Sequence, residues 1–183
     1  MKHNLPKKFK EGVRVLLLLR RNKEGGPSDN CDRKAIKRIS KSIDEFDALY
    51  SELKEKKNEG ERIYSCVNAR NIKKAITDFR KMQLEAENWD EESRNKLYID
   101  SKNRFISKLM KPKNRNENYF LIDCDNNQEK ETAVQQIEDN DIEIIYEYET
   151  KSEGGYHFVV MPYNPNNTQE LEVKRDALIL LDW

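Results

Sequence analysis

Tyr119-Phe-Leu-Ile-Asp-Cys-Asp125 is the stretch on which the rest of the chain is read: an apolar run that ends in two carboxylates one residue apart. As a strand, its period of two puts Asp123 and Asp125 on one face and turns Cys124 to the other. Like charges held that close repel unless a positive group stands between them, and a divalent cation ligated by oxygen is the usual answer. The competing reading takes Asp125-Asn-Asn127 as a polar turn that closes the strand, with Asp123 near its exposed end. A second feature weighs against the turn. Downstream, in Gly154-Gly-Tyr-His-Phe-Val-Val160, a lone histidine enters another apolar run.

Working outward towards the C-terminus, residues 128–139 read as a short helix with Ala133, Val134 and Ile137 inward. An alternating strand is expected over 141–148, a turn over 150–155, and a strand over 156–161. Residues 162–168 are irregular, and strands are expected at 171–173 and 177–181. Towards the N-terminus, residues 111–117 form a basic connector whose proline halts a helix expected from roughly 90 to 110. Another helix carries Ile72, Ala75, Ile76, Phe79 and Met82 at helical spacing, with Asn68 or Asn71 as its cap. A strand is expected at 62–67. An amphipathic helix spans 32–57, breaking near 40–42 and closed by Gly60. Residues 20–30 collect turn formers and predict a mobile loop, the apolar run 13–19 predicts a buried strand, and residues 1–12 predict a frayed start.

This order describes an α+β fold: an RRM-like antiparallel or mixed sheet with helices largely on one face, plus an N-terminal α-rich part. A length of 183 residues suits one compact domain, 1–183, in which 1–118 hold the N-terminal strand and helices and 119–183 a βαββ half. Charged residues make up 37% of the chain, yet 34 basic and 34 acidic side chains cancel to a formal net charge of zero. Any nucleic-acid site is therefore a local patch. The candidates are Lys111, Lys113 and Arg115, with Lys102 and Arg104 before them; the alternative is a set of wet helix faces. Cys31, Cys66 and Cys124 are too widely spaced for a zinc knuckle and odd in number, which points to a reducing, cytoplasmic setting. The run 13–19 is too short to span a bilayer, so no membrane association is expected.

On the strand 156–161, His157 and Val159 share one face while Tyr156, Phe158 and Val160 share the other. If the two strands are neighbours, His157 stands on the same sheet surface as Asp123 and Asp125. An apolar strand ending in Asp-X-Asp, a helix, a strand, then a small-residue turn leading into X-X-His on a strand resembles the catalytic core of the archaeo-eukaryotic primase superfamily. The resemblance covers roughly residues 119 to 182. It implies Mg or Mn ligated by Asp123 and Asp125, phosphate contact by His157, and a later metal-binding acid at Asp176 or, second to it, Asp182. Lys151, before the Gly-Gly turn, is the candidate for a further phosphate contact.

The implied activity is nucleotidyl transfer on nucleoside triphosphates and a nucleic-acid strand, in the manner of a primase-polymerase. The resemblance also implies a small phage-encoded member with a replication or defence-system protein as a further partner; a non-catalytic form would be an accessory replication or anti-defence factor. The chain departs from the family pattern at Gly155, where a serine or threonine usually stands two positions before the histidine. Three alternatives stay open: a non-catalytic nucleotide or nucleic-acid binder on the same fold, a nuclease using the same carboxylates, and a protein-interaction module built on the long helices. Tyr146 and Tyr148 share a strand face and are expected to pack under a helix rather than stack on bases.

Overall fold

A computed structural model of the chain describes residues 5–20, 35–150, 154–168 and 171–182. The N-terminal apolar run is strand β1 (Arg14–Arg20), and β2 (Ile36–Ser40) runs antiparallel to it with Val15 opposite Ile39. The start of the expected helix 32–57 is thus a strand over 36–40; residues 32–34 lie outside the described ones, as do the expected loop positions 21–30. Ile36 and Ile39, three apart, share a face on a helix but take opposite faces on a strand. Each meets a different core: Ile36 packs with Leu18, and Ile39 with Val15 and Leu17. Helix α1 (Ile43–Lys56) begins where the break at 40–42 was expected. Ser42 caps it, accepting from Glu45 N at 3.2 Å, and Glu45 reaches back to Lys41 N at 2.7 Å.

After α1, Gly60 takes a positive φ of 77° in the turn to β3 (Glu61–Cys66). Asn71 caps α2 (Ile72–Ala86), whereas Asn68 is buried and bonded to the backbone of Tyr119. The helix expected over 90–110 is two, α3 (Glu91–Ile99) and α4 (Ser101–Leu109). Asp100 ends one and precedes the other; its carboxylate accepts from the Asn103 side chain at 2.6 Å, a local bond that competes with helix continuation. Then follow β4 (Phe120–Cys124), α5 (Asn127–Asp139), β5 (Ile144–Glu149), β6 (Tyr156–Val160), β7 (Glu172–Lys174) and β8 (Leu178–Asp182).

The class is α+β, and the strands are shared between two four-stranded antiparallel sheets, β2-β1-β3-β8 and β5-β6-β4-β7. In the second, β6 lies between β4 and β5 and is antiparallel to both. The unit β4-α5-β5-β6 is therefore a split βαβ, and β7 on the far side of β4 completes the strand order of an RRM-like sheet. The sheets face each other across a common core. Leu16, Leu18, Ile63, Ile179 and Leu181 from the first meet Leu121, Tyr148 and Val159 from the second, with Phe46 and Leu53 of α1 alongside. The outer face of the first sheet is closed by α2 and α4 through Ala75, Ile106 and Leu109. That of the second is closed by α5 through Ala133 and Ile137.

Strand β8 pairs with β3 rather than with its predecessor β7, so the first sheet is built from both ends of the chain. A division at 118/119 cuts through that sheet. Tyr146 and Tyr148 pack between the two sheets, with Phe9 5.8 Å from Tyr146 ring to ring, rather than under a helix. Among the described residues no helix is long and apolar enough to cross a membrane.

Candidate active site

Register places four side chains in one row across the second sheet. Tyr148 on β5 stands opposite His157 on β6, His157 opposite Asp123 on β4, and Asp123 opposite Glu172 on β7. Directly opposed residues share a face, and Leu121 and Val159, two residues from Asp123 and His157, enter the core between the sheets. The row thus lies on the inner face, where that core gives way to solvent. Tyr148 is buried, the Asp123 and His157 side chains are 16% and 15% exposed, and Glu172 is 61% exposed.

The strands being neighbours, His157 meets Asp123: its Nε2 lies 2.6 Å from Asp123 Oδ1. Its Nδ1 lies 2.7 Å from the Tyr148 hydroxyl, which also accepts the Leu180 N–H at 3.3 Å. An assignment consistent with these contacts has the phenol donating to Nδ1 and the imidazole carrying its proton on Nε2, towards Asp123. The Tyr148 ring holds the imidazole edge-on, centroids 5.0 Å apart. The second oxygen of Asp123 is bonded by the ammonium of Lys174, which reaches Glu172 Oε1 at 3.1 Å.

These partners set the charge states. Burial pushes the Asp123 carboxyl up, but the hydrogen bonds from His157 and Lys174 outweigh it and hold the group well below the usual carboxylate range. Burial pulls Lys174 down, and its bonds to Asp123 and Glu172 more than restore it, so it stays an ammonium. Burial drives the Tyr148 phenol far above its ordinary value, making it a fixed hydrogen-bond donor and not a titrating acid. Cys124, on the opposite face, is pushed to about 11 by burial and by the carboxylates of Glu129, Asp123 and Asp125. It is no nucleophile at neutral pH.

Asp125 lies just beyond β4 and is exposed. Its N–H donates to Glu129 Oε2 at 2.8 Å, while Asn126 caps α5 by accepting from Glu129 N at 2.9 Å. The turn is therefore well ordered by the polar reading, and Asp125 is presented at the N-terminal end of α5 with its carboxylate in solvent. Gly154, with φ of 74°, packs against that helix end: a Cβ there would stand 3.0 Å from Asn127 N.

Asp176 is not brought to this row. Arg70 binds both of its oxygens, at 2.8 and 2.9 Å, from a fully buried position. Since Asp123 pairs with Glu172 and Leu121 with Lys174, the register carries Asp176 towards the opposite end of β4. Asp182 stands 3.5 Å from Lys57 Nζ instead. The basic connector also lies at that far end. Arg115 donates to Arg175 O at 2.5 Å, Lys113 pairs with Asp78 at 2.7 Å, and Lys111 is exposed. Lys151 lies outside the described residues.

Sequence reading missed Tyr148 as a partner of His157, and Glu172 and Lys174 altogether. The signal available was the alternation Glu172-Val-Lys174, which runs one residue past the strand expected at 171–173, with Val173 turned to the α5 side. It became meaningful only once β7 was known to flank β4.

Among the described residues, no three histidine, cysteine or acidic side chains are grouped to hold a metal ion. The donor chemistry of Asp123 and Asp125 nevertheless suits a hard divalent cation, since both are oxygen ligands and Asp123 is firmly ionised. The group that stands in the way is the Lys174 ammonium. Comparison with protein-family models, curated proteins and solved structures finds no match to this chain.

Proposed function

We propose that the row centred on Asp123 and His157 is a metal-dependent nucleotidyl-transfer site of primase-like type, acting on a nucleoside triphosphate and a nucleic-acid strand. The observation that carries this reading is the direct pairing of Asp123 with His157 on neighbouring strands of a split βαβ sheet, at the rim of the core between two sheets. The strands that carry Asp123 and His157, apart in sequence, are neighbours in the sheet, which supports the reading.

Asp123 and Asp125 would hold Mg or Mn, which when bound supplies positive charge to a phosphoryl oxygen and to an attacking hydroxyl. His157, steered by Tyr148, carries its proton on Nε2 and would give it to a phosphate oxygen only by exchanging that oxygen for Asp123 Oδ1, which would turn to the cation. Burial around Tyr148 and the Leu180 N–H keeps the imidazole in one orientation, so little freedom is lost when substrate binds. Asp176 has no part in this arrangement, because Arg70 holds both of its oxygens.

A second reading, a non-catalytic nucleotide or nucleic-acid binder, is favoured by the Lys174 contact, since an ammonium held at Asp123 fills the place a catalytic cation would take. One experiment separates the two. Thermal stability of wild type and of the Asp123→Ala/Asp125→Ala variant is measured with Mn, with a nucleoside triphosphate, and with both, and the same samples are analysed for products. Stabilisation that needs both ligands and is lost in the variant, with a new phosphodiester product, is expected for the enzyme. Stabilisation by nucleotide alone without turnover supports the binder, and the absence of any shift removes both readings.

A further inference from the structure

We infer that Lys174 is a built-in occupant of the cation position at Asp123, and that a divalent cation binds only by displacing its ammonium. This rests on the metal-dependent reading of the site. Lys174 comes from β7, the strand next to Asp123, and bridges Asp123 to Glu172. It therefore places one positive charge between two carboxylates of adjoining strands, the place where their repulsion calls for a cation. Its side chain is 39% exposed, so the ammonium can leave into solvent without exposing apolar core. Asp123 is far more enclosed and stays where the sheet puts it.

The consequence is a competition. In the cation-free chain Lys174 neutralises Asp123 and keeps the row folded without metal. When it leaves, an ammonium is released at the mouth of the site, beside the place where the phosphates of a nucleotide would lie. Removing Lys174 takes away the competitor and a like charge from the site, so metal affinity rises rather than falls.

The test is Mn binding, followed by the electron paramagnetic resonance of free Mn, for wild type, Lys174→Met, Lys174→Arg, Asp123→Asn and Lys174→Met/Asp123→Asn. Lys174→Met is expected to bind Mn about tenfold or more tightly than wild type, the scale of effect from deleting a partly screened like charge. Lys174→Arg is expected to stay near wild type, and the gain is expected to vanish in the double variant. If Mn binds wild type and needs Asp123, but Lys174→Met binds no better, the inference about Lys174 is overturned while the metal site stands. If neither wild type nor Lys174→Met binds Mn, the metal reading itself fails and the inference falls with it. A second measurement avoids dependence on how the variants fold: Mg titration of the wild-type chain, watching the Lys174 ammonium by ¹H-¹⁵N spectroscopy. Loss of its hydrogen-bonded signal as Mg saturates is expected; a signal that survives saturation overturns the displacement.

Discussion

At the scale of single residues, Asp123 is decisive because both strands beside β4 give it a partner, His157 from β6 and Lys174 from β7. Its carboxyl is held below the usual range, so the sign of its pH effect is fixed. A depressed group contributes stability that is complete above its unfolded value, near 4, and is lost as pH falls towards the folded value. The melting temperature of wild type is thus expected to exceed that of Asp123→Asn by a constant amount between pH 5 and 7, as set by about 1 kcal/mol after allowance for solvent screening, or about 2–4 °C. The gap should narrow below about pH 4. Melting curves across that range check it; a gap that widens in acid would contradict the assigned ion pairs. Tyr148→Phe removes the hydroxyl that links His157 to the Leu180 backbone, leaving a buried N–H short of an acceptor. A loss of about 1–2 kcal/mol in chemical denaturation is expected. Under the proposed activity, turnover falls with it because the imidazole loses its orientation.

At the scale of elements, the two ends of β4 have opposite characters. One end carries the polar row; beyond the other, the Arg70 guanidinium ties the segment after β3 to the turn between β7 and β8 through Asp176. Breaking a buried bidentate pair leaves an uncompensated charge, so Asp176→Asn is expected to cost about 3–5 kcal/mol in equilibrium unfolding, well above the cost of Asp123→Asn. A near-neutral Asp176→Asn would show that the carboxylate is not structural and return it to the list of metal ligands. The turn into β6 has its own constraint. Gly154 combines a positive φ with backbone of α5 3.0 Å from where a Cβ would stand. Gly154→Ala is expected to destabilise by about 1–3 kcal/mol and to displace the end of α5 next to Asp125, seen as chemical-shift changes at Asn126 and Asn127.

At the scale of the whole molecule, the common core and β8 tie the two ends of the chain together, and a single cooperative unit is the expected consequence. Ile179, Leu180 and Leu181, near the end of the chain, are buried in the common core with Leu16 and Leu18 of β1 and Ile63 of β3. A fragment of 1–118 therefore lacks one strand of its sheet, and a fragment of 119–183 exposes the inner face that carries Leu121, Tyr148 and Val159. Neither fragment is expected to show a cooperative thermal transition alone, whereas the mixed pair should regain one; calorimetry of the three samples checks this. Independent melting of the C-terminal fragment would mean that the split βαβ sheet needs no partner.

Periodicity alone determined most of the elements. The Asp-X-Asp strand, the short helix after it, and the strand with His157 and Val159 on one face are all local patterns, and local patterns are written in consecutive residues; the choice of Asn71 over Asn68 as a cap was not, since it turns on the bonds of Asn68 to Tyr119. The segment 36–40 was misread for the same reason: Ile36 and Ile39 fit a helix locally, and only the open edge of β1 and the existence of two cores made a strand the better use of them. Asp123 and His157 were legible as candidates, but their meeting was not, because it depends on β6 inserting between β4 and β5. Lys174, Glu172, Tyr148 and the capture of Asp176 by Arg70 were decided by tertiary structure. They join residues far apart in the chain, and pairing energy at such separation depends on register, which no run of neighbouring residues encodes.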